Sequence, residues 1–463
     1  MKLTLIHPCI GRRIGQKYIK TWQMEPLPPA AIAGLTPPEV EIAFYDDRME
    51  PIPYDEPTDL AAISVETYTA KRAYQIASEY RRRGVPVVMG GFHATLCPEE
   101  VSQYAEAVVI GESEGLWERV LRDAERGMLQ SYYKSVERPS LAGLKPDRSI
   151  YAGKSYLPLA LVEATRGCHF KCDFCAIQIV FKNTQNARPL DEVVAEVEAI
   201  KDKPLIFFID DNISSNLERA KRLLRALIPL NIRWVSQADI NVAYDEEFLE
   251  LLAASGCQGV LIGFESLNPQ NLKKMNKGFN MMKGGFEQAL ANLRRHKIRL
   301  YITFVFGYDE DTEASFQQTV QFAIKHKFFI AAFNHLTPFP GTPLYKRLEA
   351  EGRLLYQKWW LNDDYGYNMI PFQPARMTPE RLQQGCVEAR AAFYRWRSIW
   401  QRGLDPVNHA SPLMWLAYYW INYLMHQEVS LRDYYPLGDQ AWRGELIKVR
   451  ERPLPLPVSV QAV

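Results

Sequence analysis

Several things are scarce or missing in this chain of 463 residues, and each absence narrows what it can be. Charge of one sign is missing: 55 basic against 54 acidic residues leave a formal net charge of +1. A chain that neutralises a phosphate backbone needs an excess of Lys and Arg, so no nucleic-acid partner is expected. No run of about 18 apolar residues occurs, so no membrane-crossing helix is expected. The chain starts Met1-Lys-Leu-Thr-Leu-Ile-His7, which reads as a strand and not as a secretory leader. Cysteine is sparse, 7 in all. Cys9, Cys97, Cys257 and Cys386 are scattered, which argues against a disulfide framework and for a reducing, cytoplasmic location. What remains, 47% hydrophobic and 24% charged residues, fits an ordinary globular protein of two or three domains.

The other three cysteines share one octapeptide, Cys168-His-Phe-Lys-Cys172-Asp-Phe-Cys175. A zinc knuckle wants a second Cys/His pair roughly 12 to 20 residues on. Here the next cysteine after Cys175 is Cys257, and the next histidine is His296. A closed structural site needs four protein donors, whereas a site that does chemistry leaves a position open. Three thiolates can hold three corners of a four-iron, four-sulfur cluster and leave one iron free for an outside ligand. Three unrelated core thiols are the plain alternative.

Periodicity gives an α/β chain. Over residues 1–130, short apolar strands at 42–45, 60–65, 85–89 and 107–110 alternate with helices at 70–83 and 116–126, as in a parallel sheet covered by helices. Residues 131–158 read as a proline-bearing linker. Over 159–345 six strands are expected, near 159–165, 205–210, 232–237, 258–264, 299–306 and 330–336, with five helices between them. Six such units fall short of the eight that close a full barrel, so a partial (β/α)6 barrel is expected. Residues 346–463 form an aromatic-rich, mainly helical C-terminal domain, with Thr378 as an N-cap and Pro379 in the first turn of one helix. Within it, Pro412 to Met425 is apolar but too short to span a membrane and is interrupted by Asn422. A buried helix is the first reading; membrane-surface contact or the wall of a greasy substrate site are the others.

Chemistry-bearing residues gather at the strands' carboxyl ends, where such barrels place their sites. Ile209-Asp210-Asp211-Asn212 ends the second strand; two carboxylates there are costly to bury without a partner. Ser236-Gln237 ends the third, and Gly263-Phe-Glu265-Ser266 the fourth. With Asn276-Lys277-Gly278, Phe304-Val-Phe-Gly307 and Thr337-Pro-Phe-Pro-Gly-Thr-Pro343, all in order after the cysteine loop, this series resembles the radical S-adenosylmethionine (SAM) enzymes. The resemblance implies that Cys168, Cys172 and Cys175 carry a 4Fe-4S cluster whose open iron binds SAM. An electron then cleaves SAM to methionine and a 5'-deoxyadenosyl radical. It also implies that Phe174 packs near adenine, and that Asp210, Asp211, Asn212, Ser236, Gln237, Glu265 and Ser266 hold the rest of SAM. A helix N-cap cluster is the competing reading for residues 210–212.

The first domain offers a second set of strand ends: Ser64-Val-Glu66-Thr67, Gly90-Gly91-Phe-His93-Ala-Thr95 and Gly111-Glu112. Glycine there lets a large flat or phosphate-bearing ligand approach the backbone. The arrangement looks like the Rossmann-like cobalamin-binding domain of cobalamin-dependent radical SAM enzymes. The Asp-x-His-x-x-Gly motif that ligates cobalt in many cobalamin proteins is absent, so His93 is not taken as a cobalt ligand. The resemblance implies a methyltransferase acting on an unactivated carbon of a small or lipid-like molecule, with an electron donor such as flavodoxin or ferredoxin. Ring formation, rearrangement or oxidation with the same cofactors is the alternative, and a cobalamin or iron–sulfur sensor is an alternative of another class.

Overall fold

The computed structural model describes residues 1–449 apart from 17, 19–22, 282–283 and 432. The chain divides into two compact units. One comprises Met1–Tyr18, Leu35–Pro139 and Gly438–Val463, the other Ile19–Gly34 and Ser140–Leu437.

The first unit is built on a six-stranded parallel sheet. Its strands are β1 (Lys2–His7), β2 (Glu41–Asp46), β3 (Leu60–Ser64), β4 (Val87–Gly90), β5 (Ala107–Ile110) and β6 (Tyr132–Lys134), in the order β2-β1-β3-β4-β5-β6. Leu3, Leu5, Ala61, Ile63, Val87, Val88 and Ala107 are all buried, as expected of parallel strands covered on both faces. Helix α1 (Ala70–Arg82) starts where the Thr69 hydroxyl accepts from Glu66 N at 3.0 Å. It ends before Gly84, whose φ of +76° only glycine adopts without strain. Helix α2 (Trp117–Glu125) follows β5. The stretch expected as a linker thus opens with a strand. Tyr-Tyr-Lys has no apolar alternation to reveal it, and it is held by pairing with β5 at Val108↔Tyr132. Near the C-terminus Gly438–Asp439 pairs with Gly11–Arg12, so the chain returns from the helical tail to this unit.

The second unit holds another six-stranded parallel sheet, the partial barrel. Its strands are β7 (Leu159–Val162), β8 (Leu205–Phe208), β9 (Trp234–Ala238), β10 (Cys257–Glu265), β11 (Arg299–Phe306) and β12 (Ile330–His335), side by side in chain order. Helices α3 (Leu190–Ala199), α4 (Leu217–Leu227), α5 (Glu246–Ala254), α6 (Gly285–Arg295) and α7 (Glu313–Lys325) connect them. Two begin on side-chain caps close after a strand end: Asn216 accepts from Arg219 N at 3.1 Å, and Asp245 from Phe248 N at 2.9 Å. Alternate strand residues such as Ile206, Trp234, Ile262, Phe304 and Phe333 join the core under the helices. The intervening ones, among them Phe207, Gln237, Leu261, Tyr301, Thr303 and Asn334, face the other way and keep solvent access. They line the inner face of the barrel.

The tail adds α8 (Pro379–Tyr394), α9 (Trp396–Gly403) and α10 (Pro412–Gln427) to this same unit. Thr378 caps α8 by accepting from Arg381 N at 3.1 Å, with Pro379 in the first turn. The Tyr394 hydroxyl then fastens α8 to β12, donating to Ala331 O at 2.9 Å. The reading of residues 412–425 as a buried helix is corrected: in α10 only Tyr418 and Asn422 are buried.

Candidate functional site

After β7 the chain passes through the short strand Thr165–Gly167, which pairs antiparallel with Gln185–Ala187, and enters the cysteine octapeptide. Three consecutive residues beyond β8 fasten this approach. Asp210 accepts from Ala164 N at 2.8 Å and from the Thr165 hydroxyl at 2.5 Å. Asp211 accepts from Gly167 N at 2.6 Å. Asn212 Nδ2 donates to Cys168 Sγ at 3.8 Å and to Asp239 Oδ2 at 3.2 Å. The ladder follows from register: β7 and β8 pair through Val162↔Phe208, so each step past β8 meets a later residue past β7.

Within the octapeptide, each residue between the cysteines is tied to a different part of the barrel. His169 Nδ1 lies 2.8 Å from the Ser215 hydroxyl, beyond β8. Phe170 stacks on Phe279 at 4.3 Å between centroids, and the Lys171 carbonyl accepts from Asn276 Nδ2 at 3.2 Å, both beyond β10. Asp173 is buried and makes three ties: its carboxylate to the Tyr308 hydroxyl, its N–H to Met275 O at 3.2 Å, and its carbonyl to Leu344 N at 3.0 Å. Phe174 is half-buried against the core. The loop is therefore pinned to the segments after β8, β10, β11 and β12, and the cysteines are the residues this scaffold presents.

The donor set fits an iron–sulfur cluster. A zinc site would need its donors within about 2.3 Å of one point. In a cluster each thiolate takes its own iron, so the sulfurs stand further apart. Burial pushes the Cys172 thiol up to about 12 and the Cys175 thiol up to about 11. Both would be protonated at neutral pH without metal, so iron has to displace those protons on binding.

Across the strand ends lies Glu265, in the left-handed region at φ +60°, where the β10–β11 register slips between Gly263 and Glu265. Its carboxylate accepts from Lys277 Nζ at 2.7 Å and from the Thr303 hydroxyl at 3.5 Å. Lys277 Nζ also donates to Gly263 O at 3.1 Å. Burial works against the Lys277 charge, but the Glu265 carboxylate beside it holds the ammonium. The Gly-Phe-Glu motif needs its glycine: a Cβ on Gly263 would stand 2.1 Å from Glu265 Oε1 and 2.8 Å from Lys277 Nζ.

Several sequence-derived roles change. Asp210 is fully buried, burial pushes its carboxyl up to about 7, and both its oxygens are engaged by the chain's own Ala164 and Thr165. Its carboxylate positions the approach to the cysteines. Asn212 is likewise buried in the clamp. The Ser236 hydroxyl points away from the inner face and donates to Phe208 O at 2.7 Å. Ser266 accepts from Asn268 N at 3.1 Å and serves as a turn. Phe174, Asp211, Gln237 and the Glu265–Lys277 pair remain toward the strand ends. Asn276 and Lys277 belong to a motif that carries no role by itself in the sequence, and Asp173 carries none either; the structure gives all three partners. Asp173 lay in plain sight between two cysteines; its partners are far away in sequence.

In the first unit β3, β4 and β5 are neighbours, so their candidate ends stand side by side. Gly91 has φ +103°, and a Cβ there would meet Val65 O at 2.9 Å. Gly111, at φ +85°, has nothing within 4 Å of its Cβ position: the backbone is open to a close ligand. The Thr95 hydroxyl holds this end together, donating to Gly91 O at 2.9 Å and accepting from Gly111 N at 2.9 Å. Glu66 is exposed, and desolvation by the surrounding protein pushes its carboxyl up to about 7. Ser64 is half-buried and Thr67 buried beside it. Two members of the set turn elsewhere. His93 is buried, with Nε2 3.2 Å from Glu100, which also accepts from the Tyr74 hydroxyl at 3.0 Å. Glu112 is buried in a pair with Arg138 at 2.6 Å. The sheet order also puts a topological switch between β1 and β3, where parallel sheets receive ligands. Asp47, the residue after β2, lies beside the end of β1: its N–H donates to His7 O at 3.0 Å, and its carboxylate accepts from Cys9 N at 3.2 Å, from Arg72 at 2.8 Å and from Arg12.

Comparison with known proteins agrees with this geometry. The family model of the radical SAM superfamily matches residues 162–323, which contain the cysteine loop and the Glu265–Lys277 pair. The bacteriochlorophyllide d C-12(1)-methyltransferase of Chlorobaculum tepidum is 33% identical over 414 residues, covering 87% of this chain and 88% of that one. The bacteriochlorophyllide d C-8(2)-methyltransferase of the same organism is 27% identical, covering 81% and 86%. Among solved structures, the radical S-adenosylmethionine methyltransferase TsrM from Kitasatospora setae, with cobalamin and a 4Fe-4S cluster bound, shares the fold. Its TM-score is 0.61 at 17% identity, with 88% of this chain and 90% of that one covered.

Proposed function

Because this chain belongs to the radical SAM superfamily, in one family with the bacteriochlorophyllide d C-12(1)-methyltransferase, we propose that it is a cobalamin-dependent radical SAM C-methyltransferase whose substrate is an apolar planar molecule of the tetrapyrrole class. The observation that carries the reading is the cysteine loop, presented at the barrel's strand ends by ties to four separate segments. The substrate class is supported by two relatives that methylate bacteriochlorophyllides and by an inner face bearing Phe207, Leu261 and Tyr301.

When bound, the cluster and SAM supply a 5'-deoxyadenosyl radical, and cobalamin carries the methyl group to an unactivated carbon. Cys168, Cys172 and Cys175 would hold the cluster. Phe174, Asp211, Gln237 and Glu265 would orient SAM, with Lys277 fixing the Glu265 carboxylate. Asp210 and Asn212 keep the approach to the loop rigid. In the first unit, Gly90, Gly91 and Gly111 would let cobalamin lie against backbone, with Ser64, Glu66, Thr67 and Thr95 at its edge. Glu66, its carboxyl raised to about 7 by desolvation, would offer a proton donor or acceptor at neutral pH. The cluster also needs a one-electron donor, flavodoxin or ferredoxin in a cytoplasmic setting.

The test is product stoichiometry with anaerobically purified, reconstituted protein. About four irons and one cobalt per chain are expected, with S-adenosylhomocysteine formed beside 5'-deoxyadenosine when a chlorin-type substrate is present. Deoxyadenosine without S-adenosylhomocysteine would replace methyl transfer by ring closure or oxidation. Cobalamin binding without SAM cleavage would leave a sensor.

A further inference from the structure

Helices α9 and α10 are held on one side by a small apolar cluster of Phe329, Ile399 and Tyr418 and by a polar seam beside it. Arg402 is fully buried and donates to Phe328 O at 2.9 Å, Phe393 O at 3.1 Å and Asn422 Oδ1 at 2.9 Å. Asn422 donates in turn to Phe329 O at 3.2 Å and Tyr418 O at 2.9 Å. Every polar group in this seam is satisfied by a neighbour, so the helices are fixed and not loosely docked.

A second set of large apolar residues points the other way. Leu413, Leu416, Trp420 and Tyr423 fall three or four positions apart, on one face of α10. Leu416 and Trp420 are each 60% exposed, Leu413 53%, and Trp400 of α9 54%. The rings form a continuous surface: Trp400 lies 4.8 Å from Tyr419, Tyr419 5.0 Å from Trp415, and Trp396 6.2 Å from Tyr423. Leaving one such side chain in water forgoes about 1.5–3 kcal/mol. A patch of this many large apolar groups marks a surface that meets something.

Charge decides what it meets. The 16 residues of α10 include no Asp, Glu, Lys or Arg. Between Arg395 and Gln427 the single acidic residue is Asp405, which is buried and paired with Arg294. Arg395 and Arg397 are exposed at the start of α9 and make no ion pair among the described residues. A second copy docked about a two-fold axis would bring its own arginines and no acid to answer them. The interface of an anionic bilayer answers every element: acyl chains take the leucines, the headgroup layer takes Trp and Tyr, and phosphates take the arginines. No helix of the described residues is long and apolar enough to cross a membrane, so α10 would lie in the plane of the interface.

We propose that the α9–α10 face is a membrane-docking surface that seats this protein on an anionic lipid bilayer. The claim is independent of the methyl-transfer reading. It is tested by co-sedimentation of the full-length protein with vesicles of phosphatidylcholine and phosphatidylglycerol. The wild type is expected to bind. The triple variant Trp415→Ser, Leu416→Ser, Trp420→Ser alters exposed side chains only, and should lose more than tenfold in partitioning with an unchanged circular-dichroism spectrum. Arg395→Gln with Arg397→Gln should lose the preference for phosphatidylglycerol over pure phosphatidylcholine and keep residual binding. Absence of vesicle binding, or binding that the triple variant retains, overturns the proposal. So does binding lost on ending the chain at residue 449, which would move the contact to the C-terminal residues. Self-association without lipid that the triple variant abolishes would make the face an interface between copies.

Discussion

Lys277 Nζ stands 2.7 Å from Glu265 Oε1, above a glycine that has no room for a side chain. Both partners are largely buried, and Glu265 is held at a positive φ that costs energy unless its surroundings fix it. Removing one partner of such a pair leaves a buried charge without compensation, at about 3–5 kcal/mol. Lys277→Met is therefore expected to lower unfolding free energy by that order and to weaken SAM binding. Lys277→Arg keeps the charge and should recover part of both. Urea denaturation and equilibrium SAM binding read the two effects separately; an unaltered SAM affinity in Lys277→Met would remove Glu265 from the SAM site.

Gly263→Ala tests the same corner by steric means. The added methyl would lie 2.1 Å from the carboxylate oxygen, so either Glu265 moves or the strand end shifts. Overpacking of this kind costs about 1–3 kcal/mol. The expected outcome is a folded protein of reduced stability that incorporates its cluster and turns over SAM at least tenfold more slowly. Wild-type turnover would show that the carboxylate's position is not used.

The fate of Asp210 shows what the sequence could and could not disclose. That two carboxylates follow β8 was legible, because strand ends and local motifs are written in consecutive residues. That Asp210 faces Ala164 while Asp211 faces Gly167 was not, since it depends on the register Val162↔Phe208 between strands about 45 residues apart. The same gap hid the burial of His93, whose partner Glu100 also accepts from Tyr74 of a third element. It hid α10 as well: a helix apolar on nearly every side reads as core until Arg402 is seen to claim its buried Asn422. The β/α alternation is found as expected because each unit is encoded within a short window.

The ladder from β8 to the cysteine approach predicts a graded series. Asp211→Asn keeps the shape and one acceptor for Gly167 N, whereas Asp211→Ala leaves that N–H without its 2.6 Å partner. An unmade buried hydrogen bond to a charged acceptor costs about 1.5–3 kcal/mol. Iron content after reconstitution should fall little in the first variant and by half or more in the second. Asp173 gives the parallel case: Asp173→Asn preserves a bond to Tyr308, while Asp173→Ala releases the loop from β11. Equal iron content across all four variants would mean that the cysteines need no such scaffold.

His335 predicts how acid acts on the barrel. Its ring lies buried at the end of β12, and its Nε2 has no hydrogen-bond partner among the described residues. Burial, aided by Arg390, pushes its pKa down to about 3 from 6.5. Between those values the unfolded chain binds a proton that the folded chain refuses, so stability rises with pH. The contribution is complete above 6.5 and is lost as pH falls toward 3, at up to about 1.4 kcal/mol per pH unit. His335→Phe removes the titration and keeps an aromatic ring in place. Its stability at pH 7.5 should lie within about 1.5 kcal/mol of wild type, and the difference between the two should swing in favour of the variant as pH drops from about 6.5 to 5. Parallel urea-denaturation profiles over that range would mean that His335 takes up its proton in the folded barrel.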